Sequence, residues 1–124
     1  MNENQLEEII MKSCQKVHET LGPGFDPQIY VNAMLIELET RKIPREAKVK
    51  IPLVYKGATL EMELYADIIV DKKVVLQIKA QPPCLSEQRK DIFSCVKLSG
   101  LKLGLLVNFR ELDLGKGLIR IENP

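Results

Sequence analysis

Three polar side chains interrupt runs that are otherwise apolar. Asp67 stands in "YADIIV", and Gln77 and Lys79 stand in "VVLQIKA". From Thr59 to Val70, Leu60, Met62, Leu64 and Ala66 alternate with Glu61, Glu63, Tyr65 and Asp67, which is the period of a strand. Val74 to Ala80 reads as the next strand, and Asp71-Lys72-Lys73 as the short hairpin loop between them. That loop places Asp67 opposite Gln77, and opposed residues have Cβ atoms about 4.5–5.5 Å apart. Gln77 and Lys79, two residues apart, share a face. Buried polar groups are costly unless partnered, so the cluster needs a reason.

One reason is chemistry. A metal-dependent phosphodiesterase holds Mg²⁺ or Mn²⁺ with acidic oxygens and uses a lysine to stabilise phosphate charge or to help activate water. Asp67 and Gln77 would supply the oxygens and Lys79 the cation. The other reason is structural: Asp67 and Lys79 pair, Gln77 bridges them, and nothing is catalysed. Glu61 and Glu63 lie about 20 and 13 Å from Asp67 at strand rise, too far to share its metal.

Further candidates are weaker. His18, the only histidine, reads as structural. Lys48 and Lys50, with Arg41, Lys42 and Arg45 nearby, could contact phosphate, but charge on an edge strand also guards against aggregation. Cys14, Cys84 and Cys95 form no C-x-x-C pair and read as buried, reduced thiols. Gly22-Pro23-Gly24 lacks the spacing of a phosphate loop.

The elements that would position the cluster follow from periodicity. Leu6, Ile9, Ile10, Ser13, Cys14, Val17 and Leu21 mark an amphipathic helix over about 4–20, stopped at Gly22-Pro23-Gly24. Asp26-Pro27 is a cap followed by a first-turn proline, and opens a broadly apolar helix to about Lys42. Lys48 to Tyr55 is a strand that Pro52 confines to an edge or a bulge, turning at Lys56-Gly57. A helix over Leu85 to Ser99 closes at Gly100. An apolar strand over Leu101 to Val107 and a further strand over Gly117 to Ile121 follow.

The order ααβββαβ(β) describes one α/β (α+β) domain over residues 1–124, with a mixed sheet of four to five strands flanked by helices. A chain of 124 residues with 45% hydrophobic and 28% charged residues folds without disulfides or metal. A net charge of +1 argues against broad electrostatic capture of nucleic acid or membrane. The start is polar and acidic, with no signal peptide, and no apolar run is long enough to span a bilayer. The expected location is cytoplasmic.

As a set, "VHETLGPGFDPQIY" (17–30), "YKGATLEMELYADIIVDKKVVLQIKA" (55–80) and "LSGLKLGLLVNF" (98–109) resemble the GxxExxY protein family, a branch of the PD-(D/E)xK nuclease superfamily. The resemblance implies a nuclease-like core. It implies a catalytic aspartate at Asp67, and a Glu-x-Lys position at Gln77-Ile78-Lys79 with glutamine in place of glutamate. The namesake stretch falls on Gly24 to Tyr30, with Pro27 in the glutamate position. The family's helical glutamine falls on Asp91.

Asp26 neighbours the lost carboxylate, but a capping aspartate uses its oxygen on backbone N–H groups. Asp91 could return a charge to the site, or sit on a solvated face beside Arg89 and Lys90. Some superfamily branches carry Q-x-K, so glutamine at 77 does not by itself abolish activity. Two readings stand. One is a degenerate nuclease-fold protein that binds nucleic acid, another protein or a second copy of itself. The other is a Mg²⁺- or Mn²⁺-dependent nuclease with a rearranged Asp67, Gln77, Lys79, Asp91 site.

Overall fold

The computed structural model describes residues 1–82 and 85–123. Helix α1 spans Glu3–Leu21, opened by an Asn2–Gln5 capping box. Helix α2 spans Pro27–Thr40, two residues shorter than its apolar pattern predicts. Strands β1 (Arg45–Lys50), β2 (Leu53–Tyr55), β3 (Ala58–Leu60), β4 (Tyr65–Val70) and β5 (Val74–Lys79) follow, then α3 (Leu85–Ser99), β6 (Leu103–Asn108), a short 3₁₀ turn and β7 (Leu118–Glu122). The five-stranded sheet runs β1-β4-β5-β6-β7. Only β5 and β6 are parallel, joined through α3. The mixed α/β architecture and the last strand agree with the sequence reading.

The sheet is covered on both faces. Leu76 and Ile78 of β5 and Leu105 and Val107 of β6 join Leu6, Ile10, Tyr30 and Met34 of α1 and α2 in one core. Val75 and Leu106 join Ile92, Cys95 and Val96 of α3 in the other. Helix α3 sits close because residue 104 is glycine. A Cβ there would lie 2.0 Å from Val96 Cγ2 and 3.0 Å from Ile92 Cδ1.

Two expected strands are corrected. Lys48 to Tyr55 is interrupted at Ile51-Pro52, and Thr59 to Val70 is interrupted over 61–64. Pro52 cannot donate to a ladder. Ile51 still donates to Leu64 O at 2.8 Å, but beyond it the hairpin leaves the sheet. Its outer half, β2 with β3, is a separate two-stranded ribbon turning at Lys56-Gly57, both at positive φ, the signs of a type I′ turn. Glu61 and Glu63 therefore lie off β4, and strand rise does not give their separation from Asp67. The other hairpin loop has Asp71 and Lys72 at positive φ, and Val70 pairs with Val74 across it.

Candidate functional site

The β4–β5 register pairs Ile68 with Leu76 and Ile69 with Val75. One step further brings Asp67 against Gln77, as the loop length requires. At that step side chains take over the hydrogen bonding. Asp67 N donates to Gln77 Oε1 at 2.6 Å, and Ile78 N donates to Asp67 Oδ2 at 2.8 Å. The strand is distorted here. Ile68 and Val70 enter the α1–α2 core, whereas Ala66 enters the α3 core. Continuing the β1–β4 register puts Lys48 beside Asp67, and Lys48 has φ of 49°, a left-handed conformation that is unfavourable outside glycine.

Gln77 is 3% exposed, and its amide is fully engaged. Besides accepting from Asp67 N, it turns its two Nε2 protons to three acceptors that share them, Tyr65 O at 3.1 Å, Asp91 Oδ1 at 3.2 Å and Cys95 Sγ at 3.3 Å. Those partners fix the amide orientation. Rotating it by 180° would set nitrogen against an N–H and oxygen against a carbonyl and a carboxylate.

Asp91 is corrected relative to the solvated-face expectation. It points from α3 into the cluster, with Oδ2 2.7 Å from Lys79 Nζ and both side chains 26% exposed. Helix α3 presents Asp91 and Cys95 one turn apart on its sheet-facing side. Lys79 thus takes its close ion pair from Asp91 rather than from Asp67, and Gln77 links Asp67's backbone to Asp91 instead of bridging Asp67 and Lys79.

The electrostatics follow from this layout. Burial raises the Asp67 carboxyl above its ordinary value. The Ile78 N–H and then Lys79 pull it down, and Asp91 adds a smaller upward push. Burial, reinforced by the Asp91 charge, pushes the Cys95 thiol up to about 12. That makes it an unreactive neutral partner. Cys95 is a member of the cluster that sequence reasoning missed. Its spacing of four from Asp91, on a helix known to cover this sheet, was the available signal.

A divalent cation needs several free oxygens at short range, and Mg²⁺ takes six ligands. Gln77 Oε1 and Asp67 Oδ2 hold backbone N–H groups, while Asp91 faces an amide donor and an ammonium. Among the described residues no group of three or more His, Cys, Asp and Glu side chains could hold a metal ion. As placed, these oxygens are engaged with the protein's own donors, and a divalent cation would compete with those contacts.

The remaining candidates lie elsewhere. Asp26 caps α2, its Oδ1 accepting from Gln28 N at 2.9 Å, and Pro27 is the first residue of that helix. Tyr30 stacks on Phe109 with ring centroids 4.5 Å apart and donates to Gly22 O at 2.5 Å. His18 Nε2 meets Glu111 O at 2.8 Å, tying α1 to the segment after β6. Both His18 and Tyr30 lie with the α1–α2 layer, across the sheet from the cluster.

Cys14 and Cys95 are free and buried, whereas Cys84 lies outside the described residues. Arg41, Lys42, Lys48 and Lys50 are exposed along the β1 edge, and Arg45 is half-buried there. Arg45 is engaged with Glu39 at 3.1 Å. A groove of about 510 Å³ separates the outer hairpin from α3, with Leu53, Met62 and Leu64 on one wall and Asp91, Ser94 and Leu98 on the other. No helix of the described chain is long and apolar enough to cross a membrane.

Comparison with known proteins agrees with the architecture. The family model of the PD-(D/E)XK nuclease superfamily matches residues 4–121. No curated protein and no solved structure gives a match. The matched span takes in α2 and α3 whole and all but the first residue of α1 and the last residue of β7, together with Asp67, Gln77, Lys79 and Asp91. The chain therefore belongs to the PD-(D/E)XK nuclease superfamily.

Proposed function

We propose that this domain is a catalytically silent nuclease-fold protein of the GxxExxY branch, retained for binding rather than for cleavage. The observation that carries the reading is the Gln77 amide. Where the superfamily chemistry asks for a carboxylate oxygen free to bind metal, Gln77 presents a donor to Asp91, and its one oxygen accepts from Asp67 N. Lys79, the residue that would meet phosphate charge, is held by Asp91. Position 27, a proline, adds no carboxylate. The polar groups of the cluster satisfy one another, which is the pattern of a structural network.

The ligand class that the superfamily suggests is nucleic acid. The surface that suits a phosphate backbone is the exposed β1 edge with Arg41, Lys42, Lys48 and Lys50. These cations also protect an open sheet edge from pairing with another chain, so binding has to be measured.

A working metal-dependent nuclease is the second reading. The observation in its favour is Asp91, which brings a second carboxylate beside Lys79. Thermal unfolding with and without millimolar Mn²⁺, beside cleavage of plasmid and single-stranded DNA, separates the two. The silent reading expects no metal shift and no cleavage, with nucleic-acid affinity that falls as salt rises. A ligand that binds only the native state raises its stability. Metal-dependent stabilisation, with cleavage that disappears in Lys79→Ala, would overturn the silent reading.

A further inference from the structure

The net charge of +1 hides a segregation. Of the 18 Lys and Arg and the 17 Asp and Glu residues, the segment 41–57 holds six and one, which leaves twelve and sixteen for the rest of the chain. That segment runs from the end of α2 through the β1 edge strand to the turn of the β2–β3 ribbon. An acidic body with a basic edge draws an anionic polymer to that edge and repels it elsewhere.

Two tyrosines stand beside these cations. Val49 and its partner Ala66 pack under α3. Lys50 and its partner Tyr65, one step along, therefore turn to the opposite side of the strands. Lys48 closes on the same ring, with Nζ 5.4 Å from its centroid. Tyr65 is thus a partly exposed ring between two lysines. The pairing recurs at the ribbon turn. Tyr55 is 62% exposed, and Lys56 Nζ lies 5.5 Å from the centroid of its ring. Among the described residues no carboxylate forms an ion pair with Lys48, Lys50 or Lys56.

A ring beside an ammonium matches one nucleotide: the ring takes the face of a base and the ammonium takes the phosphate. An exposed cation–π contact is weak, so a base displaces the lysine from the ring and leaves it for the backbone. Only unpaired bases offer their faces, because in a duplex both faces are stacked on neighbours.

We propose that the β1 edge and the ribbon bind single-stranded nucleic acid, with one base stacked on Tyr65, another on Tyr55, and Lys48, Lys50 and Lys56 on the phosphates. The inference rests on the reading of this domain as a nucleic-acid binder. It adds the strand form and the residues that select it.

Fluorescence anisotropy of the full chain with labelled oligo(dT) of about twelve nucleotides, beside a duplex of equal length, in EDTA and over a series of salt concentrations, tests it. The single strand is expected to bind at least about tenfold more tightly than the duplex at equal salt. Tyr65→Leu and Tyr55→Ala are each expected to lose at least about fivefold in oligo(dT) affinity with an unchanged salt slope, since stacking carries no charge. Tyr65→Phe keeps the affinity. Lys48→Gln lowers the single-strand salt slope by about 0.7. Tyr55 is exposed, so its variant reports on binding even where Tyr65→Leu disturbs the fold. Equal binding of both nucleic acids, with affinity untouched in Tyr65→Leu and Tyr55→Ala, would overturn the inference and leave binding to charge alone. Binding of neither at low salt would overturn the nucleic-acid reading itself, and uptake by phosphatidylserine vesicles in that case would assign the basic edge to membranes.

Discussion

The two faces of β5 do different work with the same backbone. On one face Val74, Leu76 and Ile78 sink into the core under α1 and α2. On the other, Val75 gives way to Gln77 and then to Lys79, under α3. The first face is held by area and shape, so its neighbours are exchangeable within limits of volume. The second is held by directed hydrogen bonds among Asp67, Gln77, Asp91 and Cys95, so its members must change together. A fold survives along the first face whatever happens to chemistry on the second.

Truncation on the apolar face should give the largest stability effect and no effect on ligand binding. Leu76 is fully buried, and Leu→Ala at such a site destabilises by about 2–5 kcal/mol. Urea unfolding of Leu76→Ala should show that loss, with nucleic-acid affinity per folded molecule unchanged. A change in affinity would mean that the two faces are coupled through the strand.

On the polar face the corresponding change is Gln77→Leu, which keeps the approximate volume and removes the amide. Asp67 N loses its acceptor, and Tyr65 O and Asp91 lose a donor. Each unsatisfied buried group costs about 1–3 kcal/mol, and partial exposure of Asp91 lowers the sum. A loss of about 2–3 kcal/mol in urea unfolding is expected, smaller than for Leu76→Ala. A neutral result would show that water fills the network.

How far the sequence revealed these two faces differs in the same way. Period-two and period-3.6 patterns marked the helices, the β4–β5 hairpin and the buried β6, because burial writes itself into alternation. The loop at 71–73 was enough to set Asp67 against Gln77. Pro52 was marked as a place for an edge or a bulge. The departure of β2 and β3 into their own ribbon was not legible, because Leu53, Leu60 and Met62 keep a strand-like composition outside the sheet.

The cluster was half legible. Polar residues in apolar strands flagged Asp67, Gln77 and Lys79, but the direction of Asp91 was not set by its neighbours Arg89 and Lys90. That direction depends on how close α3 lies, and therefore on Gly104 and Val96. Such a contact joins distant parts of the chain, and local pattern does not carry it.

The dependence between positions 77 and 91 can be measured. Gln77→Glu should cost about 1–2 kcal/mol at neutral pH, because the new oxygen faces Tyr65 O and the Asp91 carboxylate. Adding Asp91→Gln returns a donor opposite that carboxylate, and stability should recover most of the loss. The double-mutant cycle is then non-additive by about 1 kcal/mol. It would close to zero if the two side chains were independent. The double variant also restores Glu-x-Lys, so a Mn²⁺ shift in its melting temperature, absent from the wild type, would show that this exchange is what silences the site.

The smallest effect concerns the charge at Asp67. Burial holds its carboxyl above the ordinary value of 3.8, against the Ile78 N–H and Lys79, which lower it. A carboxyl raised in the folded state binds its proton more tightly there than in the unfolded chain. The folded state is therefore favoured below the unfolded value and loses that advantage as pH rises through the folded value. Above that window the charge at 67 is a net burden on folding. Asp67→Asn keeps an oxygen for Ile78 N and removes the charge, while Lys79 retains Asp91. Its stability at pH 7 should exceed the wild type's by less than about 1 kcal/mol, since the site is half-exposed and screened. The gain should shrink as pH falls towards 4, measured by urea unfolding across that range. An asparagine variant less stable than wild type at pH 7 would mean that the Asp67 charge holds the cluster together through Lys79, making ionic attraction rather than hydrogen bonding the organising force of the polar face.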